Sequence, residues 1–163
     1  MEKKRVSQTN GEQGIAFGIM EGTILIWGLM LGLSVTQNRG ITVIALLVTA
    51  LADALANAAG LHVSQESEGH HDEKEVMKST IYCFAATFLV MAFLAVPIIL
   101  FESYSSAIMT SSALSVIILG ALGYFVAKKR KETVWKISLE YILMGVGVAI
   151  VSYALGAIVE TLV

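Results

Sequence analysis

Long apolar runs separated by short polar segments are the dominant pattern of this chain. A helix that crosses a hydrocarbon core of about 30 Å needs roughly 20 residues, at about 1.5 Å per residue. Five runs reach that length, over residues 14–35, 41–62, 80–101, 106–127 and 137–160. Backbone groups find no water inside a bilayer, so each run is predicted to be a helix. The pattern predicts an all-α integral membrane protein whose five transmembrane helices form a single domain, residues 1–163.

The polar segments between these runs differ in length. Residues 36–40 and 102–105 are short, which predicts that consecutive helices are antiparallel neighbours. Residues 63–77 are longer, acidic and contain two histidines, and they are predicted to form a cytoplasmic loop. A bundle of this size encloses little interior, so an ion path would need a second copy. We therefore expect a two-fold homodimer.

Composition and charge agree with a membrane protein and orient it. Hydrophobic residues make up 56% of the 163 positions, charged residues only 15%, and the mean hydropathy is +0.74. Of the eleven Lys and Arg residues, only Arg39 lies outside the N-terminal segment and the segments 63–79 and 128–136. This bias predicts a cytoplasmic N-terminus. The polar N-terminal dozen residues predict no cleaved signal peptide, and the net charge of −2 argues against nucleic-acid binding.

Two carboxylates interrupt the apolar runs, Glu21 in the first and Asp53 in the second. Ionisable residues inside membrane spans are costly, and they usually face a bundle interior and mark an ion or proton path. Glu21 lies two turns after Gly14, within a GxxxGxxxG stripe of the kind that lets helices pack closely. On the second run, Asp53 and Asn57 are one turn apart and point the same way, on a face of small and polar residues.

The depths of these residues also match. Glu21 lies about 10 Å inside the cytoplasmic start of the first helix, and Asp53 and Asn57 lie about 14 Å and 8 Å from the cytoplasmic end of the second. Carboxylate and amide oxygens suit a divalent cation, and a two-fold dimer would double their number. The competing interpretation is structural: an intramembrane acid can be protonated and hydrogen-bonded to a neighbouring helix.

Several segments resemble the vacuolar iron transporter family. Residues 54–67, ALANAAGLHVSQES, are similar to that family's second-helix signature, and Glu21-Gly22 stands where the family has Asp-Gly. The fifth run, with Tyr153 and Gly156, is similar to the family's closing helix. The resemblance covers most of the chain from about Gly14 and fits a short, prokaryotic-type member that lacks the family's cytoplasmic metal-binding insert.

The resemblance implies a multi-pass protein of a prokaryotic cell membrane that exports Fe²⁺, with Mn²⁺ as a second candidate, in exchange for protons. The path would follow the two-fold axis of a homodimer. By position, Glu21 matches the family's transport aspartate, and Asn57 matches a methionine in its second helix. Leu61 and His62 match a Glu-Tyr pair of the same signature. Losing that methionine removes a soft ligand, and Asp53 has no counterpart. The metal site so predicted comprises Glu21, Asp53, Asn57 and His62, although His62 is equally an interfacial anchor.

Weaker candidates lie outside this layer. A possible cytoplasmic metal-capture set is His70, His71, Asp72, Glu73 and Glu75, for which a solvated charged loop is the alternative. Glu140, near the cytoplasmic end of the fifth run, is a further candidate for a path residue.

Other function classes remain to be weighed against a metal transporter. A proton-coupled organic-cation exporter could also use one Glu in its first helix. A non-transport membrane assembly subunit could carry structural acids. Enzymatic catalysis is not expected, because the sequence contains no nucleophile–base pair and no phosphate-binding loop. The expected partners are divalent metal ions, protons, membrane lipid and a second copy, with no resident cofactor.

Overall fold

A computed structural model describes residues 10–69 and 72–162, and every regular element within those ranges is an α-helix. The helices are α1 (Asn10–Ser34), α2 (Arg39–Glu68), α3 (Glu73–Leu100), α4 (Tyr104–Arg130) and α5 (Val134–Leu162). Each of these five helices in the described ranges is long and apolar enough to cross a membrane. The all-α class is therefore confirmed, and the helices indicate a multi-pass membrane protein.

The predicted loop over residues 63–77 is wrong for most of its length. Helix α2 continues to Glu68, and α3 already begins at Glu73, so only residues 69–72 connect them. Gly69 ends α2 in the left-handed conformation, with φ of 64°, and its N–H donates to the carbonyl of Glu66 at 3.1 Å. The prediction failed because membrane thickness limits only the apolar part of a helix, whereas a polar stretch can remain helical until a glycine caps it.

Helix α1 occupies the centre of the bundle and contacts each of α2, α3, α4 and α5. Its first half packs against α3 through three glycines. A β-carbon on Gly14 would lie 2.3 Å from the carbonyl oxygen of Ser79, and one on Gly18 would lie 2.7 Å from that of Cys83. Such distances are too short for any side chain, so the two helix backbones touch along this stripe.

The second half of α1 packs against α5 instead. Gly28 and Gly32 lie against Ser152, and a β-carbon on Gly156 would lie 2.1 Å from the carbonyl oxygen of Gly32. The glycines of α1 thus face α3 and then α5, rather than the small-residue face of α2. A side-chain hydrogen bond also joins α1 to α4: the indole N–H of Trp27 donates to Ser112 Oγ at 3.0 Å.

One end of the bundle collects most of the basic residues in the described ranges. There α1, α3 and α5 begin and α2 and α4 end, and Lys129 of α4 forms an ion pair with Glu12 of α1. Gln65 of α2 donates to Ser79 of α3 at 3.0 Å and to Gln13 of α1 at 3.3 Å. We call this the basic end.

Candidate functional site

Glu21, Asp53 and Asn57 meet between α1 and α2. The side-chain amide of Asn57 donates one hydrogen bond to Glu21 Oε2 and another to Asp53 Oδ2, the latter at 2.9 Å. All three side chains are half-buried. Two carboxylates from different helices therefore converge on one amide nitrogen inside the predicted membrane spans. We call these residues the acidic trio.

Local sequence explains the position of each member. Ala54 and Ala58 are buried, so the preceding residues Asp53 and Asn57 lie at the edge of the buried face of α2, one helical turn apart. On α1, Gly18 and Gly22 hold the helix against α3 on either side of Glu21. Close packing of α1 on α3 therefore sets the rotation of α1 that turns Glu21 toward α2.

The electrostatics of the acidic trio favour a positive charge between the carboxylates. A pair of ionised carboxylates in a low-dielectric setting repel each other, and the N–H groups of Asn57 supply only partial compensation. The side-chain amide of Asn57 carries both a donor nitrogen and an acceptor oxygen. Rotation about its terminal carbon–carbon bond exchanges the positions of these two atoms. The same three side chains can thus offer two N–H donors to two carboxylates, or three oxygen ligands to a cation.

A cleft between α1, α2 and α5 reaches the trio at Glu21. Its volume is about 710 Å³, and Glu21 lines it together with Met20 of α1, Thr49 of α2, and Val148 and Ser152 of α5. Met20, which lies one position away from the glycine stripe, nevertheless faces the same space as the carboxylate. A thioether and a hydroxyl are therefore available beside the hard oxygen donors.

His62 does not join the acidic trio. Its Nδ1 lies 2.9 Å from Thr80 Oγ1 on α3, and its Nε2 lies 3.4 Å from Glu66 Oε1. Five residues beyond Asn57 correspond to about 7.5 Å along the helix and a different face. With Glu66, Glu73 and Met77, His62 lines a separate cavity of about 380 Å³ at the basic end.

Three of the five predicted capture residues, Asp72, Glu73 and Glu75, lie at the start of α3. His70 and His71 lie outside the described residues. Asp72 caps α3 by accepting the backbone N–H groups of Glu75 and Val76 on its carbonyl oxygen, at 2.9 and 3.0 Å. Glu73 and Glu75 are exposed in the first turn of α3, where negative charge stabilises a helix N-terminus. The acids that the structure describes here thus have a structural explanation.

Glu140 is exposed on α5, whereas the acidic trio lies between α1 and α2. Sequence reasoning did not single out Ser152 of α5, which lines the cleft beside Glu21. Its spacing of four residues from Gly156 repeats the small-residue pattern of α1, and this was the signal that could have identified the α1–α5 contact.

Within residues 10–69 and 72–162, no three His, Cys, Asp or Glu side chains are close enough together to hold a metal ion. The acidic trio offers oxygen ligands from three side chains, two carboxylates and the amide of Asn57.

No protein-family model matches the chain, and the curated proteins include no similar sequence. The case for function therefore depends on the site itself.

Proposed function

We propose that this protein is a secondary transporter that exports divalent transition-metal cations, Fe²⁺ or Mn²⁺, from the cytoplasm in exchange for protons. The observation that carries this proposal is the convergence of Glu21 and Asp53 on Asn57 within membrane-spanning helices. Intramembrane carboxylates are costly and typically belong to ion or proton paths.

The chemistry of the donors selects the cargo. Carboxylate and amide oxygens are hard ligands that suit Mg²⁺, Ca²⁺ and Mn²⁺, and imidazole or sulfur shifts preference toward later metals. Met20 faces the same cleft as Glu21 and adds one soft donor within reach of a cation moving along α1. A mixed set of this kind favours Mn²⁺ and Fe²⁺ over an alkaline-earth ion.

Exchange with protons follows from the same carboxylates. A carboxylate must be ionised to bind metal, so protonation releases the cation and metal binding releases protons. Two protons balance the charge of one divalent ion. In the proton-loaded state, the amide N–H groups of Asn57 stabilise the carboxyl oxygens; in the metal-loaded state, the amide presents its oxygen instead.

A second copy would complete the ligand set. One acidic trio supplies fewer than the six ligands that these metals usually take. Beside Asp53 and Asn57, α2 exposes a stripe of small residues: Ala52, Ala56 and Gly60 at four-residue spacing. A stripe of this type lets two membrane helices approach closely, so a two-fold dimer through α2 would bring two acidic trios together.

Metal flux into liposomes containing the purified protein tests the proposal. Fe²⁺, Mn²⁺, Co²⁺ and Zn²⁺ are each supplied with and without a pH gradient, to the parent protein and to the Glu21→Gln and Asp53→Asn variants. Glu102→Gln is the matched control, because Glu102 is exposed in the connection between α3 and α4. We expect gradient-dependent flux of Fe²⁺ or Mn²⁺ that falls at least tenfold in both site variants, and normal flux in the control.

Flux that is equal in the parent and both site variants, each shown to be folded, would overturn the proposal.

One observation favours a second candidate, a proton-coupled organic-cation exporter: the cleft beside Glu21 is large and lined mainly by apolar side chains, including Phe17, Ile24 and Leu25. A lipophilic cation that binds in this cleft, is displaced by protons and is not displaced by Mn²⁺ would select that alternative.

A further inference from the structure

A second cleft lies at the basic end, between α1, α4 and α5. It has a volume of about 720 Å³, in the range of ligand sites, and it is separate in position from the acidic trio, although Phe17 and Met20 border both clefts. Its walls come from the first turns of α1, the last turns of α4, and Tyr141 of α5. Apart from Met20, the proposed transport reaction uses none of the residues that line it.

The mouth of this cleft carries an excess of positive charge. Lys129 and Arg130 line it, and Lys128 and Lys131 flank them. Lys129 forms an ion pair with Glu12, and Arg130 Nη2 lies 2.8 Å from Glu132 Oε1. Lys128 and Lys131 lie outside the lining, next to these cations in the sequence. Counted together, four cations and two carboxylates leave two positive charges in excess near the mouth. Because the Lys129 and Arg130 side chains are 41% and 55% exposed, they retain N–H donors for another acceptor.

The deeper part of the cleft is apolar. Phe17 lies five residues beyond Glu12 on α1, and Phe125 and Leu122 lie five and eight residues before Arg130 on α4. At 1.5 Å per residue, these side chains are about 7 to 12 Å further into the membrane than the charged mouth. Phe17 and Phe125 remain 43% and 68% exposed. Polarity thus changes from cationic to apolar along the helix axes.

We infer that this cleft binds an anionic phospholipid. The phosphate accepts hydrogen bonds from Lys129 and Arg130 at the membrane surface, and an acyl chain lies along Phe17, Leu122 and Phe125. Basic pockets between membrane helices commonly bind such headgroups. A soluble phosphate ion would leave the apolar wall uncovered. A second copy is disfavoured, because two-fold pairing of this face would bring the cations of both mouths together.

Lipid retention measured by native mass spectrometry tests the inference. The protein in mild detergent is mixed with equal amounts of phosphatidylglycerol and phosphatidylcholine that carry identical acyl chains. Each Lys or Arg near an anionic surface contributes about fivefold in binding. The Lys129→Gln/Arg130→Gln variant is therefore expected to lose phosphatidylglycerol at least fivefold, whereas the parent prefers it to phosphatidylcholine. Lys74→Gln/Lys136→Gln removes two exposed cations outside the cleft lining and is expected to change retention less than twofold.

A second pair of variants keeps the test decisive if the double substitution disturbs folding. Arg130→Lys retains the charge and is expected to retain the lipid, and Arg130→Gln is expected to lose it. Equal retention of both lipids by the parent would overturn the inference, as would equal losses in the cleft and control variants. Dissociation of a dimer by Lys129→Gln/Arg130→Gln, with unchanged lipid retention, would assign the cleft to a second copy and would also overturn it.

Discussion

The side chain of Asn57 donates to the carboxylate of Glu21, so the amide of α2 is bonded to the acid of α1. The same nitrogen donates to Asp53, so one amide contacts both acids. Asn57 thus compensates the negative charge of the site while holding the two helices in register. This arrangement makes its substitution informative about stability as well as transport.

Replacing Asn57 by leucine should destabilise the protein. The substitution keeps the approximate volume and removes both hydrogen-bond donors, which leaves half-buried carboxyl groups without them. The expected loss is about 1–3 kcal/mol in the free energy of unfolding, the usual cost of an unsatisfied buried polar group. Thermal unfolding in detergent measures it. Ser64→Leu, at an exposed polar position on the same helix, is the control, and equal stability of the two variants would contradict this account.

Mn²⁺ should stabilise the folded protein through the acidic trio. A ligand present at 100 times its dissociation constant adds about 2.7 kcal/mol to the free energy of unfolding. The increase in melting temperature with Mn²⁺ should disappear in Glu21→Gln and Asp53→Asn and persist in Glu102→Gln. A shift that survives both site substitutions would place the metal elsewhere on the chain.

The Mn²⁺ affinity should weaken as the pH falls. Protons compete with the metal for the same carboxylates, so each proton displaced on binding lowers the apparent affinity about tenfold per pH unit over the range in which the carboxylates titrate. Isothermal titration in buffers of different ionisation enthalpy counts the protons released. Binding without proton release at any pH would argue against exchange with protons.

Much of the fold and part of the site follow from residue pattern, because membrane spans impose strong constraints. Apolar run length identified each described helix, and the four-residue spacing of Asp53 and Asn57 placed both on one face. The partners of the glycines could not be derived in the same way. A GxxxG stripe indicates that another helix packs closely, but it does not identify which helix. In the structure, the glycines of α1 pack against α3 and α5. The contacts of His62 could not be derived either: its spacing from Asn57 turns it away from the acidic trio and toward Thr80.

Two glycines of α5 should respond oppositely to alanine. A β-carbon on Gly156 would lie 2.1 Å from the carbonyl oxygen of Gly32, whereas one on Gly147 would have nothing within 4 Å. Gly156→Ala therefore forces α1 and α5 apart, at a cost of about 1–3 kcal/mol. Gly147→Ala should be neutral or stabilising by up to about 1 kcal/mol, because alanine favours the helix. Thermal unfolding of both variants distinguishes them, and equal melting temperatures would contradict the close α1–α5 contact.

The exposed small residues of α2 should determine the oligomeric state. Ala56→Leu places a large side chain in the stripe beside Asn57, and it should prevent two copies of α2 from approaching closely. We expect the parent to elute as a dimer by light scattering and the variant as a monomer with lower metal affinity. Ala121→Leu makes the same change at an exposed position on α4 and should leave the dimer intact. A parent that is monomeric in both detergent and nanodiscs would show that one acidic trio must act alone; a dimer unaffected by Ala56→Leu would place the interface on another face of the bundle.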